Sequence, residues 1–228
     1  MKNPPSTRVI VTCGPAAEPI DQARCITNFS TGELGSLLSE DLAAQGWEVF
    51  CLRGIGATYP PPRHAQIFPF STNVDLEKLF HQFTTSSPPI TAIFHAAALC
   101  DFLVVGAENH RGEKIDSPKL NSQLDVLRLL LAPAPKLIRK LREEFPNSKI
   151  VGWKYELEGL PSDALTRGIE QIKENKTDAC VVNGQAWGNS FAFLDQQTMA
   201  LAPTVIPTKS QLCTHLAHWL AAQFSSSH

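Results

Sequence analysis

Runs of β-branched and apolar residues alternate with segments of helical period along this chain, and few architectures accept that pattern. Arg8-Val-Ile-Val-Thr12 reads as a buried strand stopped by the turn residues Cys13-Gly14-Pro15. After a loop, Thr31 to Gln45 sets Leu34, Leu37, Leu38, Leu42 and Ala43 at helical spacing, with Gly46 as its stop. Trp47 to Leu52 is the next strand, and such a β-loop-α-β unit predicts a right-handed crossover between parallel strands. The alternation continues with a strand at Ala65 to Pro69, a helix at Val74 to Thr84, and Ile90 to Ala98, apolar enough for a central strand covered on both faces. Strands are expected at Leu124 to Leu131, Lys149 to Tyr155 and Asp178 to Asn183, and helices at Pro135 to Phe145 and Ser162 to Asn175. Phe191 to Leu194 and Thr198 to Leu201 read as a hairpin around Asp195-Gln196-Gln197, and Lys209 to Gln223 as a closing amphipathic helix. The expected fold is therefore α/β: a single Rossmann-like, doubly wound, mostly parallel sheet with helices on both faces and a short C-terminal hairpin, forming one domain over residues 1–228.

Charge and composition remove several classes of function. Twenty basic against twenty-two acidic side chains leave a net charge of −2, with no chain-wide field for gripping nucleic acid or an anionic membrane. Neither partner is expected, and any phosphate recognition must be local. Met1 to Ser6 lack the basic-then-apolar pattern of a signal peptide, and no apolar run is long enough to span a bilayer, so a cytoplasmic location is expected. The six cysteines, Cys13, Cys25, Cys51, Cys100, Cys180 and Cys213, are scattered without a CxxC pair, which predicts free thiols packed as small hydrophobes rather than metal ligands or disulfides. Cys25 and Cys100 fall near the expected site, but no cationic pattern marks either as a nucleophile.

In a doubly wound sheet ligands bind beyond the carboxyl ends of the strands, here the loops after Thr12, Ala98 and Asn183. The first loop leads through Arg24 and Asn28 to Ser30-Thr31-Gly32-Glu33-Leu34-Gly35, where backbone N–H groups and two hydroxyls at a helix start can face an anion. The same pattern also fits a capped helix whose glycine packs on the sheet. Cys100 to Gln123, rich in Gly, Asn, Lys, Ser and Pro, exceeds the usual connection length and is expected to be a functional loop.

The run Gly14-Pro15-Ala16-Ala17-Glu18-Pro19-Ile20-Asp21, followed by Arg24, Ile26, Asn28, Ser30, Gly32 and Gly35, resembles the opening signature of the phosphopantothenoylcysteine synthetases. The resemblance continues in order along most of the chain, through Phe94 to Phe102, Gly112-Glu113-Lys114-Ile115, Val151 to Glu156, Thr177 to Asn183 and the aromatic hairpin at Phe191. It implies a ligase of coenzyme A biosynthesis that joins 4'-phosphopantothenate to cysteine through an acyl-nucleotide intermediate, with Mg2+ and ATP or CTP. By the same resemblance Asn28 would hydrogen-bond the acyl carbonyl, Arg24 would shape that pocket, and Lys114 would swing over the triphosphate. Gly14, Ser30, Thr31, Gly32, Gly35, Ala97, Asp101, Trp153 and Lys154 would hold the nucleotide, and no protein metal ligands are implied. Read alone, Asp101 also fits a turn cap, and Trp153 fits core packing.

The sequence departs from the family pattern at the glycine pair, which is Gly14-Pro15 with Ala16 in place of threonine, and after Lys114, where Asp116-Ser117-Pro118 replace a lysine-rich continuation. Asn28-Phe29-Ser30-Thr31-Gly32, Lys114-Ile115-Asp116-Ser117 and Trp153-Lys154-Tyr155-Glu156-Leu157-Glu158 look more like eukaryotic-type synthetases, which favours ATP over CTP. The resemblance further implies a stand-alone ligase with no fused flavin decarboxylase domain, acting as a homodimer with Leu124 to Leu131 crossing the interface. That stretch equally fits a buried strand. A degenerate relative that binds nucleotide or a partner without turnover is the alternative. A short-chain NAD(P) oxidoreductase is excluded, because no GxGxxG follows the first strand and no lysine lies four places after Tyr59 or Tyr155.

Overall fold

In the computed structural model, which describes residues 7–121, 123–200 and 202–225 without the side chains of Ala200 and Ser225, the first strand of the sequence lies inside the sheet. Met1 to Ser6, read above for a targeting signal, and Leu201, the expected end of the hairpin, lie outside the described residues. The strand β1 (Arg8–Cys13) sends Val9 and Val11 to one face and Ile10 to the other, so both faces are buried. It pairs in parallel with β4 (Glu48–Gly54) on one side and β6 (Ile90–His95) on the other. Beyond β4 lies β5 (Gln66–Phe70), and beyond β6 lie β9 (Lys149–Tyr155) and β10 (Ala179–Gly184), all parallel. Antiparallel β11 (Gly188–Asp195) and β12 (Thr204–Ile206) complete the order β12-β11-β10-β9-β6-β1-β4-β5. The doubly wound arrangement expected from the sequence is present, with strand order reversing at β1 and β6.

Two helix layers close the core. On one face α1 (Glu33–Ala44) and α5 (Lys209–Ser225) pack Leu38, Leu42, Leu212 and Leu216 on Val9, Val11 and Val181. On the other face α2 (Asn73–Thr84) and α3 (Ile138–Glu144) set Leu76, Phe80 and Leu141 against Ile10, Phe50 and Ile150, while α4 (Pro161–Asn175) packs Ala164 and Ile172 on Cys180 and Val182. The start of α2 is fixed by reciprocal bonds: the Asp75 N–H donates to Thr72 Oγ1 at 3.1 Å and the Thr72 N–H to the Asp75 carboxylate at 3.0 Å. No helix among the described residues is long and apolar enough to cross a membrane.

The structure corrects several element assignments. A two-stranded hairpin, β2 (Ala17–Pro19) and β3 (Cys25–Thr27), stands in the expected loop between β1 and α1, its strands too short to show alternation. The expected irregular stretch after Cys100 begins with a true strand, β7 (Phe102–Glu108), whose partner β8 (Arg128–Pro133) is the displaced form of the strand expected at Leu124 to Leu131. This β7–β8 ribbon is separate from the central sheet, so the buried-strand reading of Leu130 and Leu131 is replaced by exposed side chains. The hairpin expected at the C-terminal end is formed by β11 and β12 rather than by Thr198 to Leu201. The Asp195 carboxylate accepts the N–H groups of Gln197 and Thr198, which winds Thr198–Ala200 into a 3-10 turn.

Gly35 lets α1 settle onto β1: a methyl group there would stand 2.3 Å from Cys13 Cβ. Alanine is the better helix former by about 1 kcal/mol, but overpacking a filled core costs about 1–3 kcal/mol. Gly35→Ala is therefore expected to lower the urea midpoint of unfolding, for a net loss of up to about 2 kcal/mol. An unchanged midpoint would show that α1 lifts from the sheet at no cost.

Candidate active site

Where β1 and β6 end side by side, their following segments stay zipped together. Thr12 Oγ1 accepts the Ala97 N–H at 3.0 Å and shares a second hydrogen bond with His95 Nδ1 at 3.0 Å. Burial keeps the imidazole neutral, pushing the His95 pKa down from 6.5 to about 4. One step further the Ala98 N–H donates to Gly14 O at 3.0 Å and the Ala16 N–H to Ala98 O at 2.9 Å. The β2–β3 hairpin then returns the chain to the same place: Thr27 Oγ1 donates to Ala16 O at 2.7 Å, and Asn28 Nδ2 to Leu99 O at 2.7 Å. Gly14, Asn28 and Ala97, far apart in sequence, thus share the crevice at the switch point.

The second wall is the start of α1, which begins at Glu33 rather than Thr31. Gly32 is its N-cap with φ 76°, and Thr31 Oγ1 receives the Glu33 N–H at 3.3 Å, so Ser30 and Thr31 precede the helix instead of forming its first turn. Gly14 (φ 78°) and Gly32 both occupy the left-handed region, and a Cβ on either would lie within 3 Å of Ala57 Cβ. Gly35 faces Cys13 instead. These contacts give the three glycines a packing reason, and Gly35 matches the alternative reading of a glycine packed on the sheet. The loop carrying Ala57 is fastened over the helix start by the buried Arg53 guanidinium, which donates to Ser36 Oγ at 3.0 Å, to Ala57 O at 3.1 Å and to Tyr59 O.

The remaining expected site residues fall into three groups. Arg24 donates through Nε to Asp21 Oδ2 at 3.0 Å and through a terminal nitrogen to Leu120 O at 2.7 Å, so its guanidinium is held by its own hairpin. The Arg24 guanidinium, followed by the Ala23 N–H, holds the Asp21 carboxyl well below the usual carboxylate range. Lys114 lies on the segment that follows β7, its backbone bridged to Glu108, and among the described residues no hydrogen bond or ion pair joins its side chain to the crevice. Asp101 ends the segment after β6, exposed and ion-paired with Lys136. Trp153 and Lys154 are consecutive on β9 and therefore project to opposite faces. Trp153 packs in the core beneath α1 and α5 with its Nε1 buried and unpartnered. Lys154 pairs with Glu156 at 3.2 Å and lines a groove of about 270 Å3 with Lys136, Arg139 and Gln171.

Other residues at these strand ends were not singled out from sequence. Asn183, which the sequence places before one of the three ligand-binding loops without naming it as a site residue, lines a cavity of about 380 Å3 with Tyr155, Gln185, Asn189 and Phe191. Cys13, rather than Cys25 or Cys100, has its thiol pKa lowered, by a hydrogen bond shared with Cys51 and by the Arg53 charge. Burial, with Glu18 and Asp101 nearby, pushes the Cys100 thiol up. Arg53 carried no signal, because a lone arginine after an apolar run reads as solvated.

Comparison with known proteins places this geometry. Residues 5–222 match the family described as DNA/pantothenate metabolism flavoprotein C-terminal domain. The Coenzyme A biosynthesis bifunctional protein CoaBC of Thermococcus kodakarensis is 30% identical over 176 residues, which are 77% of this chain and 41% of that protein. The chain spans about two fifths of the length of the curated relatives it matches. Among solved structures, the DNA/pantothenate metabolism flavoprotein of Streptococcus pneumoniae superposes with a TM-score of 0.84 at 21% identity, covering 96% of this chain and 100% of that one. A Cab2 variant in complex with phosphopantothenate-cysteine superposes at 0.70 with 15% identity, covering 96% and 89%.

The neutral, buried His95 has a consequence for stability. Its folded pKa is depressed, so unfolding takes up a proton between pH 6.5 and about 4, and the stability it contributes is present above 6.5 and lost as pH falls through that window. We expect unfolding free energy to fall with acidification there, by up to about 1.4 kcal/mol per pH unit from this group. Denaturation across that range should show a flatter slope for His95→Gln. Equal slopes in the two proteins would contradict the neutral assignment.

Proposed function

The chain belongs to the DNA/pantothenate metabolism flavoprotein C-terminal domain family, and from that premise we propose that it is a ligase of coenzyme A biosynthesis joining 4'-phosphopantothenate to cysteine. In this reading the 4'-phosphopantothenate carboxylate attacks the α-phosphorus of ATP, pyrophosphate leaves, and the cysteine amine opens the resulting acyl-nucleotide. The observation that carries the reading is the meeting of Gly14, Asn28 and Ala97 at the β1–β6 crevice, where the family resemblance needs the reacting groups to meet. The Cab2 neighbour, solved with phosphopantothenate-cysteine, supports it.

The chain's own groups fit defined parts. Asn28 Nδ2 spends one proton on Leu99 O, which fixes the amide, and keeps a second N–H for the acyl carbonyl oxygen as negative charge develops there. Arg24 has one edge fixed by Asp21 and Leu120 O and shapes the same pocket with the other. Ser30, Thr31 and the amides at the start of α1 meet the phosphates, and Lys114 moves over them from the segment after β7. Asp101 receives polar groups of the substrates beside Lys136. With Trp153 and Lys154 on opposite faces, only Trp153 is on the α1 side with the phosphates, and Lys154 serves the Asp101 side. Mg2+ enters with the nucleotide, held by its phosphates as part of the substrate.

In this reading the chain acts in the cytoplasm as a homodimer through the β7–β8 ribbon, where Phe102, Val105, Leu130 and Leu131 are exposed, Val105 by 61%. A second reading, a relative that binds without turnover, is favoured by Ala57, which fills the space beside both cradle glycines.

Purified protein given 4'-phosphopantothenate, cysteine, Mg2+ and ATP is expected to release pyrophosphate, faster than with CTP; no release with either nucleotide would contradict the ligase and favour the binder instead. Asn28→Ala should slow cysteine capture by about a hundredfold while pyrophosphate release stays measurable, and Lys114→Ala should depress the first step. Equal and negligible effects of both changes would remove these roles. Light scattering should find a dimer that Leu130→Lys converts to monomer, and a monomeric wild type would refute the ribbon interface.

A further inference from the structure

We propose that Glu18 and Asp21 are positioning residues that hang the Lys114-bearing segment from the β2–β3 hairpin and so hold Lys114 in register with Asn28; the catalytic part of this rests on the role given to Lys114 above. Glu18 lies on β2, and Asp21 lies in the turn that leads to β3. Each carboxylate accepts a backbone N–H from the segment that carries the lysine. Glu18 Oε1 takes the Val104 N–H at 2.9 Å, on the near side of Lys114, and Asp21 Oδ2 takes the Leu120 N–H at 3.0 Å, on the far side. The second tie is reinforced, because the Gln22 N–H donates to Pro118 O at 3.0 Å and Arg24 to Leu120 O at 2.7 Å.

Both bonds are partly buried. The Asp21 side chain is 1% exposed and Leu120 is 4% exposed, so the charged acceptor faces little competition for its donors. Between the two anchors the segment bonds to itself: the Ile115 N–H returns to Ala107 O at 2.8 Å, and the Asn109 side chain ties to Glu113 at 2.7 Å. Lys114 therefore rides on a short loop whose place relative to the sheet is set at Val104 and Leu120. The hairpin that holds both anchors also runs from the Gly14 turn to Asn28, so one element fixes the acyl-side amide and the lysine together.

Asp21→Asn keeps an oxygen for the Ala23 and Arg24 backbone N–H groups, while its NH2 can accept neither from the Leu120 N–H nor from the Arg24 guanidinium, so it releases both ties at once. Glu18→Ala removes the other anchor, and Glu18→Gln keeps an acceptor and serves as the rescue. Amide hydrogen exchange of the whole chain is expected to speed up about tenfold or more across residues 104–120 in Asp21→Asn and Glu18→Ala, but not in Glu18→Gln or in the central strands. In pyrophosphate release, Glu18→Ala should lower kcat/KM for ATP by about tenfold, and Glu18→Ala combined with Lys114→Ala should be no worse than Lys114→Ala alone. Unchanged exchange in that segment, or losses that simply add, would overturn the proposal. A wild-type chain without turnover would overturn the ligase reading instead, and exchange alone would then decide whether the anchors hold.

Discussion

The reversal of strand order at β1 and β6 is the constraint on which the rest of the molecule depends. Because β4 and β5 wind one way from β1 while β6, β9 and β10 wind the other, the chain leaving β1 and the chain leaving β6 are not covered by a shared crossover. Their backbone groups must be satisfied there, and they satisfy each other: Ala97 on Thr12, Ala98 on Gly14, Ala16 on Ala98. The crevice is thus a by-product of topology, made rigid by backbone bonds, onto which side chains from the hairpin and from α1 have been added.

Much of this was readable in residues. The β-branched and apolar runs located the parallel strands inside the sheet, because burial on both faces leaves an apolar signature that needs no partner to be recognised. Asn28 and Ala97 were legible through the pattern they belong to, and the structure brings them together. The hairpin of Ala17–Pro19 and Cys25–Thr27 was not legible, since three-residue strands have no period and one of the bonds that hold it comes from Val104, far along the chain. Phe102–Glu108 was hidden for a different reason: its ribbon is exposed, so it lacks the half-buried alternation that marks a strand.

The glycines show how one residue type admits two physical explanations. From sequence, Gly14, Gly32 and Gly35 fit the close approach of an anion; in the fold, Ala57 and Cys13 occupy the space their side chains would take. A glycine required by packing still leaves the amides at the start of α1 without helical partners, so the two explanations meet at one wall. Consecutive Trp153 and Lys154 carry a similar lesson, because the period of a strand divides them between faces whatever their shared motif implies.

The measurement that bears most directly on the crevice as a carboxylate-activating site follows an oxygen atom. With 4'-phosphopantothenate labelled by 18O in its carboxylate, passage through an acyl-adenylate transfers a labelled oxygen to the phosphate of AMP when cysteine displaces it, and mass spectrometry of the AMP should show that label. Turnover that yields unlabelled AMP, or label found only in pyrophosphate or inorganic phosphate, would contradict activation through that intermediate.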